Sequence, residues 1–210
     1  MSNSDNPNES DIPQGDPVEL FEAWFAQAHQ SEANDPNAVA LATATPAGAP
    51  SVRMVLLKGH GPSDDGGAEF TFYTNAESRK GEEIRSNMQA ALLFHWKSLR
   101  RQIRVEGPLE EVTSEQADAY FHSRAHKSQV ASAASDQSRA LSQRADYFAR
   151  VDAIAAEYPE GTVVPRPPHW TGFTVKAQRI EFWLDRPGRM HDRRMFTRQD
   201  GAWTNELLYP

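Results

Sequence analysis

The six residues Arg53-Met54-Val55-Leu56-Leu57-Lys58 decide how the rest of the chain is read. Four apolar residues in succession, one of them β-branched, predict a buried strand rather than a half-exposed one. A cation at each end puts positive charge where such a strand meets solvent. That suits an anionic ligand lying along the strand with a phosphate at one end. The same six residues also read as a core strand with two solvated ends, so the neighbouring segments have to decide.

Outward from this stretch the chain alternates between short strands and helices. On the N-terminal side, Ala38–Thr45 reads as a strand and Pro46–Pro50 as a turn, with Ser51–Leu57 as the next strand. Further back, Asp16-Pro17-Val18-Glu19 is a helix start, with Asp16 as N-cap and Pro17 at the first helical position. Leu20, Phe21, Trp24, Phe25 and Ala28 then share one face. Residues 1–15 have little to bury and read as a disordered tail. On the C-terminal side, Gly59–Gly67 reads as a loop and Ala68–Thr74 as a strand, and Ser78-Arg79-Lys80 opens a short helix. Ala90–Trp96 and Arg101–Val112 make a hairpin. Thr113 with Gln116 is a capping box, opening a helical insert over about 114–157, either a lid or an interface element. Four prolines exclude regular structure from 159–168. The end returns to strands at Gly172–Lys176, Arg179–Leu184, Arg193–Arg198 and Trp203–Leu208. Strands, then helices, then strands predict one α+β domain over 16–210, a mostly antiparallel β-barrel with peripheral helices.

Composition excludes several classes of function. The 210 residues contain no cysteine, so disulfides, thiolate metal sites and a cysteine nucleophile are out. The net charge of −7 argues against general nucleic-acid binding. No apolar run approaches the ~18 residues of a membrane span. With no basic or apolar leader at the start, a cytoplasmic location is expected. His122 and His126 have helical spacing but no third ligand, so no metal site is expected there. There is no Walker A sequence, no GxGxxG and no nucleophile elbow.

An acidic chain must hold an anion with local cation clusters, and three segments supply them. Arg53 to Lys58 is the first. In the second, Tyr73-Thr74-Asn75 runs from a strand end through a turn into Ser78-Arg79-Lys80, where helix N–H groups, a hydroxyl and two cations converge; an ordinary helix start with solvated cations fits equally well. The third is Arg186 to Arg194, with four arginines in nine residues. On a strand, Arg189, His191 and Arg193 would share one face, and His191 could move a proton near neutral pH; an exposed basic edge strand is the plainer alternative. On a continuous helix, Tyr120, Arg124 and Ser128 would stack ring, cation and hydroxyl on one side.

Taken in order, these motifs resemble the pyridoxamine/pyridoxine 5′-phosphate oxidase family. The carriers are RMVLLK at 53–58, FYTNAESRK at 72–80, WKSLRRQ at 96–102, YFHSRAHKSQ at 120–129, QS at 137–138, IEFW at 180–183 and RMHDR at 189–193. The resemblance implies a split β-barrel that binds FMN at the interface of a homodimer. It places Arg53, Met54, Val55, Leu56, Leu57 and Lys58 along the flavin, with Arg53 and Lys80 near its phosphate. Tyr73, Thr74, Arg79 and Gln102 complete the site on one subunit. Gln137, Ser138, Trp183 and Arg193 also contact FMN, some of them from the other subunit. The substrate phosphate meets Lys58, Tyr120, Arg124 and Ser128, while Arg189, Met190 and His191 lie over the substrate ring, with Arg189 and His191 catalytic. The implied reaction oxidises the C4′ carbon of pyridoxamine or pyridoxine 5′-phosphate to the aldehyde pyridoxal 5′-phosphate. Dioxygen is the final acceptor and becomes hydrogen peroxide. A split-barrel flavin reductase or dehydrogenase with another donor, or a non-catalytic flavin carrier, are the alternatives. Two departures stand out. Residues 1–15 carry no Arg or Lys, and the usual Arg near the final Pro is absent. Both put in doubt a lid made by the N-terminus and a second product site.

Overall fold

The computed structural model describes residues 11–210, in which five helices surround an antiparallel sheet. The strands are β1 (Ala38–Ala44), β2 (Pro50–Pro62), β3 (Ala68–Asn75), β4 (Gln89–Trp96), β5 (Arg101–Glu111), β6 (Trp170–Lys176), β7 (Arg179–Leu184), β8 (Asp192–Gln199) and β9 (Ala202–Leu207). The order β4-β1-β2-β3-β6-β5 closes through a β4–β5 pairing, and β7-β8-β9 extend from β5. This is the split barrel expected from the sequence.

The split is made by β5. One edge pairs with β4 along its length. The other edge pairs with β7 over Arg101–Glu106, then with β6 over Leu109–Glu111. Gly107 and Pro108 sit at the changeover. A Cβ on Gly107 would lie 2.0 Å from the Lys176 carbonyl oxygen, so only glycine admits this close approach. Pro108 brings no N–H that would need a ladder partner at the point where the neighbouring strand changes.

Alternation along the strands fills the barrel with Phe70, Phe72, Phe94, Ile103, Val105, Phe173 and Val175. Helix α1 (Pro17–Ser31) closes one end. Asp16 caps it by accepting from Val18 N at 2.6 Å, and Phe21 meets Phe70 and Phe94 edge-on at 4.9 and 5.3 Å. A second apolar cluster, Phe121, Val130, Val164 and Trp170, fixes the helical insert to β6. The insert is α3 (Ser114–Ser123), α4 (His126–Ala133) and α5 (Arg144–Glu157). The expected capping box at Thr113 and Gln116 is formed.

Four expectations are corrected. First, β2 is not buried but half-exposed: Val52, Met54 and Leu56 are 69%, 60% and 41% exposed, while Leu57 is buried. Its continuous apolar run reflects two different coverings, the barrel core on one face and open surface on the other. Second, the 59–67 loop is shorter, because β2 resumes after a bulge at Leu57/Gly59 and pairs as far as Pro62. Third, disorder does not extend through residue 15. Ile12 is fully buried, and its carbonyl accepts from Arg194 Nε at 2.9 Å; residues 1–10 lie outside the described residues. Fourth, helix α2 (Arg79–Ser86) forms as expected behind the Ser78 cap, but the 120–128 helix is broken. Arg124 is extended, at φ −80 and ψ 153, and ends α3. The Gln129 side chain donates to the Arg124 carbonyl at 2.7 Å, satisfying the group that the break frees.

The changeover in β5 makes a direct prediction. Gly107→Ala should cost about 2–3 kcal/mol, read as a lower urea midpoint with an unchanged denaturant slope. An unchanged midpoint would mean that β5 and the 176–178 turn can separate freely.

Candidate active site

Where β2, the end of β3 and the helical insert meet, they enclose a cavity of about 700 Å³, within the usual range for small-ligand sites. Its wall is a stack of aromatic rings. Tyr73 lies on Tyr120 at 4.1 Å and 23°, and Trp170 lies 5.4 Å from Tyr73 at 13°. Trp170 is brought there by the β3–β6 register, which sets it opposite Asn75. Met54, Leu56 and Lys58 line the cavity from β2, with Val55 beside them.

Two groups of cations face this cavity from different elements. Lys58 lies 6.0 Å from the Tyr120 ring centre, and the Arg124 guanidinium 5.1 Å from that of Trp170. Arg124 Nη2 donates to Ser132 Oγ at 2.9 Å and to Ser128 O at 3.1 Å, while Nη1 is buried with no protein acceptor. Thus the helix break still delivers Tyr120, Arg124 and Ser128 to one cavity, though not on one helical face. Lys80 makes the second group. Its Nζ donates to Gln137 Oε1 at 2.6 Å and to Ser78 Oγ at 3.1 Å. Burial, and secondarily the charge of Arg53, lower its pKa to about 8.

Neither Arg53 nor Arg79 lines the cavity. The period of two puts residues 53 and 58 on opposite faces of β2, so Arg53 does not line the cavity as Lys58 does. Its guanidinium donates to Leu41 O at 3.0 Å and to Thr43 Oγ1 at 2.6 Å. Arg79, largely exposed, pairs with Glu83 at 2.9 Å. Thr74 lines the cavity; Leu57 belongs to the core, and Ser138, at φ +72, is exposed beside Gln137.

The remaining expected residues form a separate group. Gln102, Trp183 and Arg193 are paired neighbours across β5, β7 and β8. Gln102 therefore sits in this row and not with Tyr73 and Thr74. His191 lies 4.6 Å from the Trp183 ring, and its Nδ1 is 3.1 Å from Asp185 Oδ1. Arg193 donates to Glu181 at 2.7 Å. Arg189, His191 and Arg193 do not share a strand face, because Pro187–Arg189 is a 3-10 turn and β8 begins only at Asp192. Arg189 holds φ +64, and both it and Met190 are exposed. None of this group lines the 700 Å³ cavity.

Trp170, Ser132, Ser135 and Tyr147 line the cavity without having been singled out in the sequence. For Ser132 there was a signal, since it continues the four-residue spacing of Arg124 and Ser128. Trp170 and Tyr147 carried none: their place depends on a β3–β6 pairing and a helix return that span many residues. Among the described residues no group of three His, Asp or Glu could hold a metal ion, and no helix is long and apolar enough to cross a membrane.

Residues 25–157 match the profile described as pyridoxamine 5′-phosphate oxidase, and residues 170–210 match the pyridoxine 5′-phosphate oxidase C-terminal dimerisation region. The pyridoxine/pyridoxamine 5′-phosphate oxidase of Erythrobacter litoralis is 63% identical over 205 residues, covering 96% of this chain and 94% of that one. That of Novosphingobium aromaticivorans is 60% identical over 200 residues, covering 95% and 96%. Among solved structures, PhzG from Burkholderia lata 383, in complex with tetrahydrophenazine-1-carboxylic acid, is 30% identical with a TM-score of 0.85, over 98% of this chain and 97% of that one. With both halves of the chain matched and relatives at this identity, the chain belongs to the pyridoxamine 5′-phosphate oxidase family of oxidoreductases.

Proposed function

We propose that the protein is an FMN-dependent oxidase that converts pyridoxamine 5′-phosphate and pyridoxine 5′-phosphate to pyridoxal 5′-phosphate, with dioxygen as final acceptor and hydrogen peroxide as second product. The observation that carries this reading is the pairing of two separate cation groups with one aromatic-walled cavity. Two phosphorylated ligands with stacked rings need that arrangement, and a single phosphate does not.

The residues present fit FMN. Lys80, with Arg53 near it, would take the phosphate; Met54 and Leu56 offer apolar surface to the ring system, and Gln137 a hydrogen-bonding edge. The unpartnered Arg124 Nη1 is a donor that an oxygen of the substrate phosphate would satisfy. FMN, when bound, supplies the acceptor for the two electrons that leave the substrate's C4′ carbon, and dioxygen takes them on. The protein's own share is placement. Lys58, Tyr120, Arg124 and Ser128 hold the substrate phosphate so that its ring lies in near-attack position. Arg189 offers a cation where charge changes during oxidation. His191 Nδ1 accepts from the Arg186 backbone N–H at 3.2 Å, leaving Nε2 to exchange a proton with the substrate.

In this reading Gln102, Trp183, Arg193, Arg189 and His191 complete the cavity of a second copy in a homodimer. Two features support it. The apolar row Val52, Met54 and Leu56 is exposed on a single chain. The C-terminal segment that carries Trp183, His191 and Arg193 matches a dimerisation region.

The first experiment mixes FMN-loaded protein with pyridoxine 5′-phosphate, and separately with the amine, under anaerobic conditions. The visible flavin band should bleach and return on admitting air, with aldehyde formed. A yellow protein that bleaches with neither compound would sink the substrate assignment and favour a reductase. Arg189→Met should lower turnover about 100-fold or more while FMN affinity changes little; a loss of affinity with turnover per bound flavin preserved would reverse the roles. Lys80 binds an anion best when protonated. FMN affinity should therefore hold between about pH 6, where the phosphate gains a proton, and the Lys80 pKa of about 8, and fall as pH rises past the latter, by up to about tenfold per pH unit; Lys80→Met should remove that fall.

A further inference from the structure

Glu83 is a carboxylate only 4% exposed, on the inner side of α2. Such a group persists in a fold only if its lone pairs are filled. Here donors come from three elements. Oε1 accepts from Arg79 Nε at 2.9 Å on its own helix. Oε2 accepts from Thr43 Oγ1 on β1 and from Ser51 Oγ on β2, both at 2.5 Å, and lies 3.3 Å from Arg53 Nη2. Burial by itself would raise the Glu83 pKa, but the Ser51, Thr43 and Arg79 hydrogen bonds outweigh it and hold the carboxyl at about 2. It is therefore charged throughout the working pH range.

The adjacent residue shows that this is a matter of placement and not of composition. Glu82, one position earlier on the helix, is 55% exposed and pairs with Arg139 on the outside. Glu83 instead fixes one side of the Arg53 guanidinium, whose other side is held by Leu41 O and Thr43 Oγ1. It fixes Arg79 as well. Lys80, which lines the cavity, meets only neutral acceptors in Ser78 and Gln137. Three cations and one carboxylate leave about two positive charges beside the cavity, which matches the near-dianionic charge of a phosphate monoester at neutral pH.

We infer that Glu83 is a positioning residue for the cofactor's phosphate: it locks Arg53 and Arg79 in place and trims their charge so that the cluster matches one phosphate. Glu83 itself touches no ligand. The inference rests on the reading of the cavity as an FMN site and adds to it the group that sets the phosphate end.

The test compares FMN with riboflavin, which has the same ring system and no phosphate. Apoprotein is titrated with each and flavin fluorescence is followed; far-ultraviolet circular dichroism checks folding. In Glu83→Gln the charge is lost and the amide nitrogen presents N–H to groups that are themselves donors, so Arg53 loses its ion pair and keeps only the neutral acceptors Leu41 O, Thr43 Oγ1 and Ser51 Oγ. FMN affinity should fall about tenfold, with riboflavin affinity changing by less than about twofold. A merely structural role would weaken both flavins alike. If Glu83→Gln does not fold, Ser51→Ala is used: Ser51 Oγ donates to Glu83 and accepts from Arg53 Nη2, so one partner is removed from each, and the FMN loss should be about threefold and again absent for riboflavin. Equal losses for the two flavins, or no loss for FMN, in the variant that folds would overturn the inference. So would unaltered protein that binds riboflavin as tightly as FMN, although the flavin reading would survive that result. Unaltered protein that binds neither flavin overturns the FMN reading itself.

Discussion

Most of the architecture follows from how β5 shares its hydrogen bonds. A strand has two edges, and β5 gives one of them to β4 and divides the other between β7 and β6. The β6 half closes the barrel. The β7 half starts the three-strand extension that carries Trp183, His191 and Arg193. Both need the backbones to meet at Gly107, where no side chain fits. Without the changeover the chain would form a plain barrel and the second group of candidate site residues would have no platform.

Charge is organised on the same local scale. A chain with net charge −7 gathers Arg53 and Arg79 around one buried carboxylate, sets Lys80 beside Arg79 in sequence, and places Lys58 and Arg124 against aromatic rings. Neither group relies on the field of the whole molecule. Each is set by short contacts in partly buried surroundings, where charges act more strongly than in water.

What could be read in the sequence was what is encoded locally. The Asp16 and Thr113 caps, the Ser78 helix start, the β4–β5 hairpin and the proline-bound 159–168 segment all follow from residues within a few positions of one another. What could not be read depended on distant partners. Periodicity cannot say that β2 is open on one face, because an apolar residue looks the same whether the barrel core or another surface covers it. The helix break at Arg124 is paid for by Gln129, which shows no such role in the sequence. Glu82 and Glu83 are identical in composition and opposite in placement, and only the packing of α2 on β1 and β2 separates them. The cation groups themselves were legible, because they are unusual in an acidic chain and recur at ordered spacings. Their division into two sets came from the family resemblance and not from the residues alone.

The half-exposure of β2 has one more consequence. Met54 and Leu56 line the cavity and also form part of the uncovered apolar row. Whatever surface comes to lie on that row becomes a wall of the cavity too. Covering the strand and filling the cavity are then thermodynamically linked: each must strengthen the other by the same factor. A ligand that fits tightly would act as glue between the strand and its cover, and dilution that strips the cover would loosen the ligand in proportion.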